Sequence, residues 1–97
     1  MVKHIILWQL KDELSGNEEI RVKNEMKSGL ESLKGKIPGL IDIKVQTEGL
    51  STSNADAMLD STFEDEEALK IYANHVEHVS VADRYIRPFT KTRMCID

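Results

Sequence analysis

The sequence holds a single cysteine, Cys95, so it forms no internal disulfide and shows no cysteine spacing of the kind that ligates zinc. It has no run of basic residues. Lys and Arg number 13 against 17 Asp and Glu, a formal charge of −4, and a nucleic-acid partner is not expected on that balance. The longest clean apolar run is Ile5-Ile6-Leu7-Trp8, far short of a bilayer span, so no membrane partner is expected either. No small-residue cleavage site follows that run, and the expected location is cytoplasmic. There is no phosphate-binding glycine loop, because Gly35 and Gly39 flank a turn with no Lys-Ser or Lys-Thr after them. There is no Gly-x-Ser-x-Gly elbow. No cofactor is expected.

What is present suffices for one folded domain over residues 1–97, with 40% hydrophobic and 31% charged residues. Residues 2–10 read as a strand. Val2, His4, Ile6, Trp8 and Leu10 share one face, while Lys3, Ile5, Leu7 and Gln9 share the other. Both faces carry large apolar groups, which predicts a central strand covered on both sides. A helix follows. Ser15 with Glu18 fits a capping box, and Val22, Met26, Leu30 and Leu33 form its apolar stripe. Arg21, Lys23, Asn24, Lys27, Ser28, Glu31 and Lys34 make a solvated face. Gly35 suits the helix end and Pro38-Gly39 a turn.

Leu40 to Thr47 reads as a second strand with Ile41, Ile43 and Val45 on one face. Asp56 to Phe63 reads as a third, with Ala57, Leu59, Ser61 and Phe63 alternating against polar neighbours. Asp65 can cap a second helix whose stripe is Leu69, Tyr72, Ala73 and Val76. Asn74-His75 is a candidate break. A further helical segment through Val79, Ala82 and Ile86 stops before Pro88, and Phe89 to Ile96 is the last strand. The order β-α-β-β-α-β predicts an α+β, ferredoxin-like sandwich with the first and third strands central. Helices cover one face of such a sheet, and the apolar second face of the first strand predicts a partner.

The opening Val2-Lys3-His4-Ile5-Ile6-Leu7-Trp8, the turn Gly35-Lys36-Ile37-Pro38-Gly39-Leu40 and the segment Phe63-Glu64-Asp65-Glu66-Glu67-Ala68-Leu69 together resemble the stress-responsive A/B barrel domain (Dabb, dimeric α/β barrel) family. Tyr72-Ala73-Asn74-His75-Val76-Glu77-His78-Val79 is similar to its Tyr-x-x-His-Pro-x-His-Val signature, with Val76 where the family usually has proline. Tyr85-Ile86-Arg87-Pro88 also fits, and the resemblance runs from Val2 to Ile96. It implies a homodimer whose two sheets close into a barrel. It leaves activity open, since members include plant stress-responsive proteins and polyketide cyclases that form a carbon–carbon bond by aldol condensation.

The resemblance places His78 and Tyr72 where the cyclase members carry a catalytic His and Tyr. Such chemistry needs a base beside a carbonyl and a donor for the developing oxyanion. Six residues amount to about 600° around an ideal helix, so the two side chains meet only if the chain breaks near Asn74-His75. The alternative is structural: His78 caps or bridges the break and Tyr72 packs on the sheet. His4, beside Ile6 and Trp8, is either a third pocket residue or a core histidine with a hydrogen-bond partner. A histidine of the cyclase third strand falls near Ala57 and is missing. His75 and His78 have the i, i+3 spacing of a ligand pair, but no Cys or third His stands nearby in the sequence, and no metal is expected. Cys95 reads as a packing residue. Two functions stay open. One is a dimeric barrel that binds a small apolar ligand or serves in stress response. The other is a cofactor-free cyclase or lyase acting on a carbonyl-containing ligand through His78, Tyr72 and His4. A cavity joining those three side chains separates them.

Overall fold

The computed structural model describes residues 1–97. Strand β1 (Val2–Leu10) leads to helix α1 (Asn17–Glu31), then strands β2 (Leu40–Gln46) and β3 (Ala57–Phe63). Helices α2 (Glu66–Asn74) and α3 (Val76–Val81) follow, then a π-helical turn over Ala82–Ile86 and strand β4 (Thr90–Ile96). The sheet order is β2-β3-β1-β4 with every pair antiparallel, so β1 and β3 are central and the fold is ferredoxin-like.

Alternation along β1 and β3 decides the layers. His4, Ile6, Trp8 and Leu10 are buried, as are Ala57, Leu59, Ser61 and Phe63, and this face meets the helices. Val22, Met26, Leu30 and Leu33 supply α1's side of the core, and all four are buried. The opposite sheet face has no layer over it. Leu7 pairs across from Met94 and Ile5 from Ile96, and Met94 and Ile96 are each 71% exposed.

Four local expectations are corrected. There is no capping box at Ser15. The helix starts at Asn17 behind Gly16, whose φ of 58° is open to glycine, and no side chain caps the end. Ile41 does not share the face of Ile43 and Val45. The register shifts between Leu40 and Asp42, which makes Ile41 the extra, exposed residue of a bulge. Val76 leaves the stripe of α2 and is 73% exposed, and Ala73 is exposed too, while Ala68 is buried with Tyr72. The chain breaks at His75, so Val76 starts a new helix with its own facing. Finally, Lys27 and Glu31 are not idle surface charges. Lys27 Nζ donates to Glu31 Oε2 at 2.9 Å and to the Val45 carbonyl at 2.8 Å, and the Val45 N–H donates to Glu31 Oε2 at 2.9 Å. They clasp the edge strand β2 to α1.

Gly39 shows why the turn before β2 is a glycine. Its φ is 82°, and a Cβ there would lie 2.5 Å from the Ala68 Cβ, so α2 can seat only over a bare backbone.

This packing sets two stability outcomes. Leu30→Ala should cost about 2–5 kcal/mol in denaturant unfolding, because Leu30 sits mid-stripe and leaves a cavity. Lys27→Ala should cost about 0.5–1.5 kcal/mol, more than an ordinary surface lysine, because it unclasps β2. Burial opposes ionisation of Glu31, but the Lys27 ammonium and the Val45 N–H outweigh it and hold the carboxyl below its usual 4.5. The Glu31 contribution is therefore complete above about pH 4.5 and disappears as pH falls through its depressed folded value. A pH series on wild type and Glu31→Gln should show that acid loss in wild type alone.

Candidate functional site

Helix α2 is anchored at its start by Asp65, whose carboxylate accepts from the Ala68 N–H at 2.8 Å. Its end is set by His75, with φ −67° and ψ 135°, an extended residue between two helices. The family's proline would force that conformation on the residue before it. Here Val76 follows, and a side-chain cap takes over: His75 Nδ1 accepts from the Glu77 N–H at 3.1 Å. The break therefore survives without proline.

The break brings Tyr72 and His78 together. Their ring centroids lie 4.1 Å apart with planes 33° from parallel. His78 Nδ1 lies 3.3 Å from the Ala73 carbonyl oxygen. A carbonyl only accepts, so Nδ1 carries the proton and Nε2 keeps its lone pair. Burial pushes the imidazole below its usual 6.5. The Ala73 carbonyl opposes this, and the charges of Arg87, His4 and Arg93 add to it, so the neutral ring is the resident form. Of the two structural roles expected of His78, it takes the bridge, while the cap falls to His75. Gly29 lets Tyr85 and Val81 pack closely on α1, because a Cβ there would sit 3.0 Å from the Tyr85 ring and 3.3 Å from Val81.

Tyr72 is 2% exposed, and its hydroxyl is buried without a hydrogen-bond partner. Burial pushes the phenol far up, with the Arg93 charge pulling weakly the other way, so it remains a protonated donor. His4 stands on β1 with its ring 6.1 Å from that of Tyr72 and 6.2 Å from Phe63. It is a buried histidine with a partner: Nδ1 bonds the Asp97 carboxylate. That bond, against a smaller cost of burial, holds the Asp97 carboxyl below its usual value.

A cavity of about 360 Å³ joins all three. It lies between the sheet and the α2–α3 layer, with Tyr72, His78 and His4 on its wall beside Ile6, Trp8 and Leu69, and with Arg87, Thr90 and Arg93 toward β4. The arginines escape a reading of the sequence. Arg93 lies opposite Trp8 in the β1–β4 register, and that pairing is what turns it to the helix side.

Cys95 is corrected as a packing residue. It is exposed, and its Sγ lies 3.7 Å from His4 Nδ1 and 3.4 Å from Asp97 Oδ1. Burial and the neighbouring Asp97 push its thiol up, which removes a nucleophilic thiolate at neutral pH. The ligand atoms of His4, Cys95 and Asp97 lie within 4.8 Å of one another, a donor set brought together by β1–β4 pairing across some ninety residues.

The family model for the stress responsive A/B barrel domain matches residues 2–97. The chain belongs to this family. Among solved structures, a dimeric ferredoxin-like protein of unknown function from Bacteroides fragilis is 30% identical, with a TM-score of 0.89 over 97% of this chain and 90% of that one. A protein from Arabidopsis thaliana is 24% identical, with a TM-score of 0.79 over 100% and 92%. A hydroxynitrile lyase from Passiflora edulis is 15% identical, with a TM-score of 0.71 over 97% and 87%. The last two share the stress responsive A/B barrel's fold with this chain. No curated protein matches it.

Because the Tyr72 hydroxyl is buried without a partner, Tyr72→Phe should leave stability unchanged or raise it by up to about 2 kcal/mol. A fall in unfolding midpoint of that size would mean the hydroxyl is satisfied in solution.

Proposed function

We propose that this protein is a homodimeric barrel that binds a small carbonyl compound in the cavity at Tyr72 and His78 and moves a proton on it without a cofactor, as a lyase or cyclase does. The observation that carries this is the buried, unpartnered Tyr72 phenol stacked on an imidazole whose Nε2 is unprotonated, both on the wall of one cavity. In this reading His78 Nε2 takes a proton from the carbon beside the carbonyl, or from a hydroxyl on it. The Tyr72 hydroxyl meets the oxygen on which charge develops, and the buried site strengthens that bond. His4, held by Asp97, shapes the wall from β1. Similarity of fold to a hydroxynitrile lyase is compatible with this reading and is not its basis.

A second reading, a barrel that binds a ligand without turning it over, is favoured by the bond between His78 and Ala73, because a bridged helix break needs that imidazole for structure alone. The homodimer is supported by the uncovered Leu7, Met94 and Ile96 on the outer sheet face and by the description of the Bacteroides fragilis relative as dimeric. It should bury more than about 1,200 Å² in total. A stable monomer at micromolar concentration in sedimentation would sink it.

His78→Ala should abolish turnover of a carbonyl substrate while the dimer stays folded. Tyr72→Phe should lower kcat by about 100-fold or more with no fall in melting temperature. With the His78 imidazole held below its usual value, the acid limb of kcat/KM should lie below pH 6.5. If ligand still binds and neither variant nor pH alters any turnover, the binding-only reading stands.

A further inference from the structure

We infer that the natural ligand of the Tyr72–His78 cavity is an anion, an oxo acid with an apolar body, whose carboxylate is received by Arg93. The inference rests on the proposed function only in taking this cavity as the ligand site.

The first observation is charge placement. The chain carries 17 carboxylate side chains and a net charge of −4, yet none of those carboxylates lines this cavity, while Arg87 and Arg93 do. By contrast the groove along β2 mixes the two signs, with Glu31, Asp42, Glu48 and Asp60 beside Lys27, Lys34 and Lys44. A cavity that excludes the protein's commonest charge and admits two guanidiniums is positive inside a negative molecule, which favours an anion and steers it there.

The second observation separates the two arginines. Arg87 is committed, because it bonds Asp83 one turn earlier. Arg93 makes no ion pair, and the nearby Asp97 carboxylate is already engaged by His4. Arg93 touches only the weak acceptor Cys95, and a guanidinium without an ion pair presents a planar fork that matches a carboxylate with two parallel hydrogen bonds.

The third observation places the other end of the ligand. The Tyr72 side chain lines the same cavity and its hydroxyl is buried without a partner, so it lacks an acceptor of the kind a carbonyl oxygen supplies. Ile6, Trp8, Leu59 and Leu69 give the same cavity an apolar lining. A volume of about 360 Å³ sits at the small end of ligand sites and suits a compact molecule. One acceptor for Tyr72, one carboxylate for Arg93 and an apolar body describe an oxo acid. A neutral ketone would leave the arginine unanswered.

The test uses the native dimer and its one tryptophan, Trp8, which lines the cavity and reports binding by fluorescence. The probes are 4-methyl-2-oxopentanoate, its methyl ester and 4-methyl-2-pentanone, alike in body and different in charge. The oxo acid should bind at least about tenfold more tightly than either neutral probe, and added salt should weaken the acid alone. Arg93→Gln should erase the preference and Arg93→Lys should keep part of it. Arg84→Gln, whose guanidinium lies 5.2 Å over the Tyr85 ring and off the cavity wall, should leave it intact. Equal binding of acid and ester, a preference that survives Arg93→Gln in a protein with a wild-type melting temperature, or no saturable signal from any probe would each overturn the inference. Acid-selective binding without turnover would uphold it and retire only the proposed chemistry.

Discussion

A four-stranded sheet has two faces, and this chain has helices for one of them. That constraint sets the positions of everything else. The inward residues of β1 and β3 must be apolar to meet α1 and α2, and they are, down to the fully buried Phe63 and Leu59. His4 and Ser61 are the exceptions on that face. Each is satisfied, Ser61 by donating from Oγ to the His4 carbonyl at 2.8 Å and His4 by Asp97. The outward residues are left with Leu7, Met94 and Ile96 in water, a cost in apolar exposure that a second copy would relieve.

The same layer leaves a gap. Helix α1 packs on β2 and is clasped to it by Lys27 and Glu31, whereas α2 and α3 are separated by a bend at His75. The cavity at Tyr72, His78 and His4 lies beside that bend, and the bend stacks its two titratable rings. Structure and candidate chemistry therefore share one cause. This is why His78 carries a structural bond to Ala73 through one nitrogen while the other remains free.

Electrostatics then separates the partners. A neutral imidazole and a protonated phenol are the forms in which one accepts a proton and the other donates a hydrogen bond, and burial drives both groups toward those forms. Cys95, on the same side of the sheet, is driven toward the unreactive thiol by burial and by Asp97. Arg93 and Arg87 give the cavity a sign opposite to that of the whole molecule.

The sequence by itself determined the element order, the central strands, the apolar stripe of α1 and the break near His75, because each of these rests on periodicity or on a local cap. Its errors are local, at points where one residue shifts the phase. The bulge at Ile41 and the restart at Val76 each turn a side chain to another face, and periodicity carried across such a point misplaces the neighbouring side chains. Ser15 has the chemistry of a cap, but the left-handed φ of Gly16 starts the helix one residue too late for it. The pairing of Tyr72 with His78 could be posed from spacing but decided only by the angle between two helices. Arg93 over Trp8, Asp97 and Cys95 beside His4, and Lys27 on Val45 are pairings of residues far apart in the chain. No spacing encodes them. They exist because strand register and helix docking bring those residues to one place, and that is decided only when the layers pack.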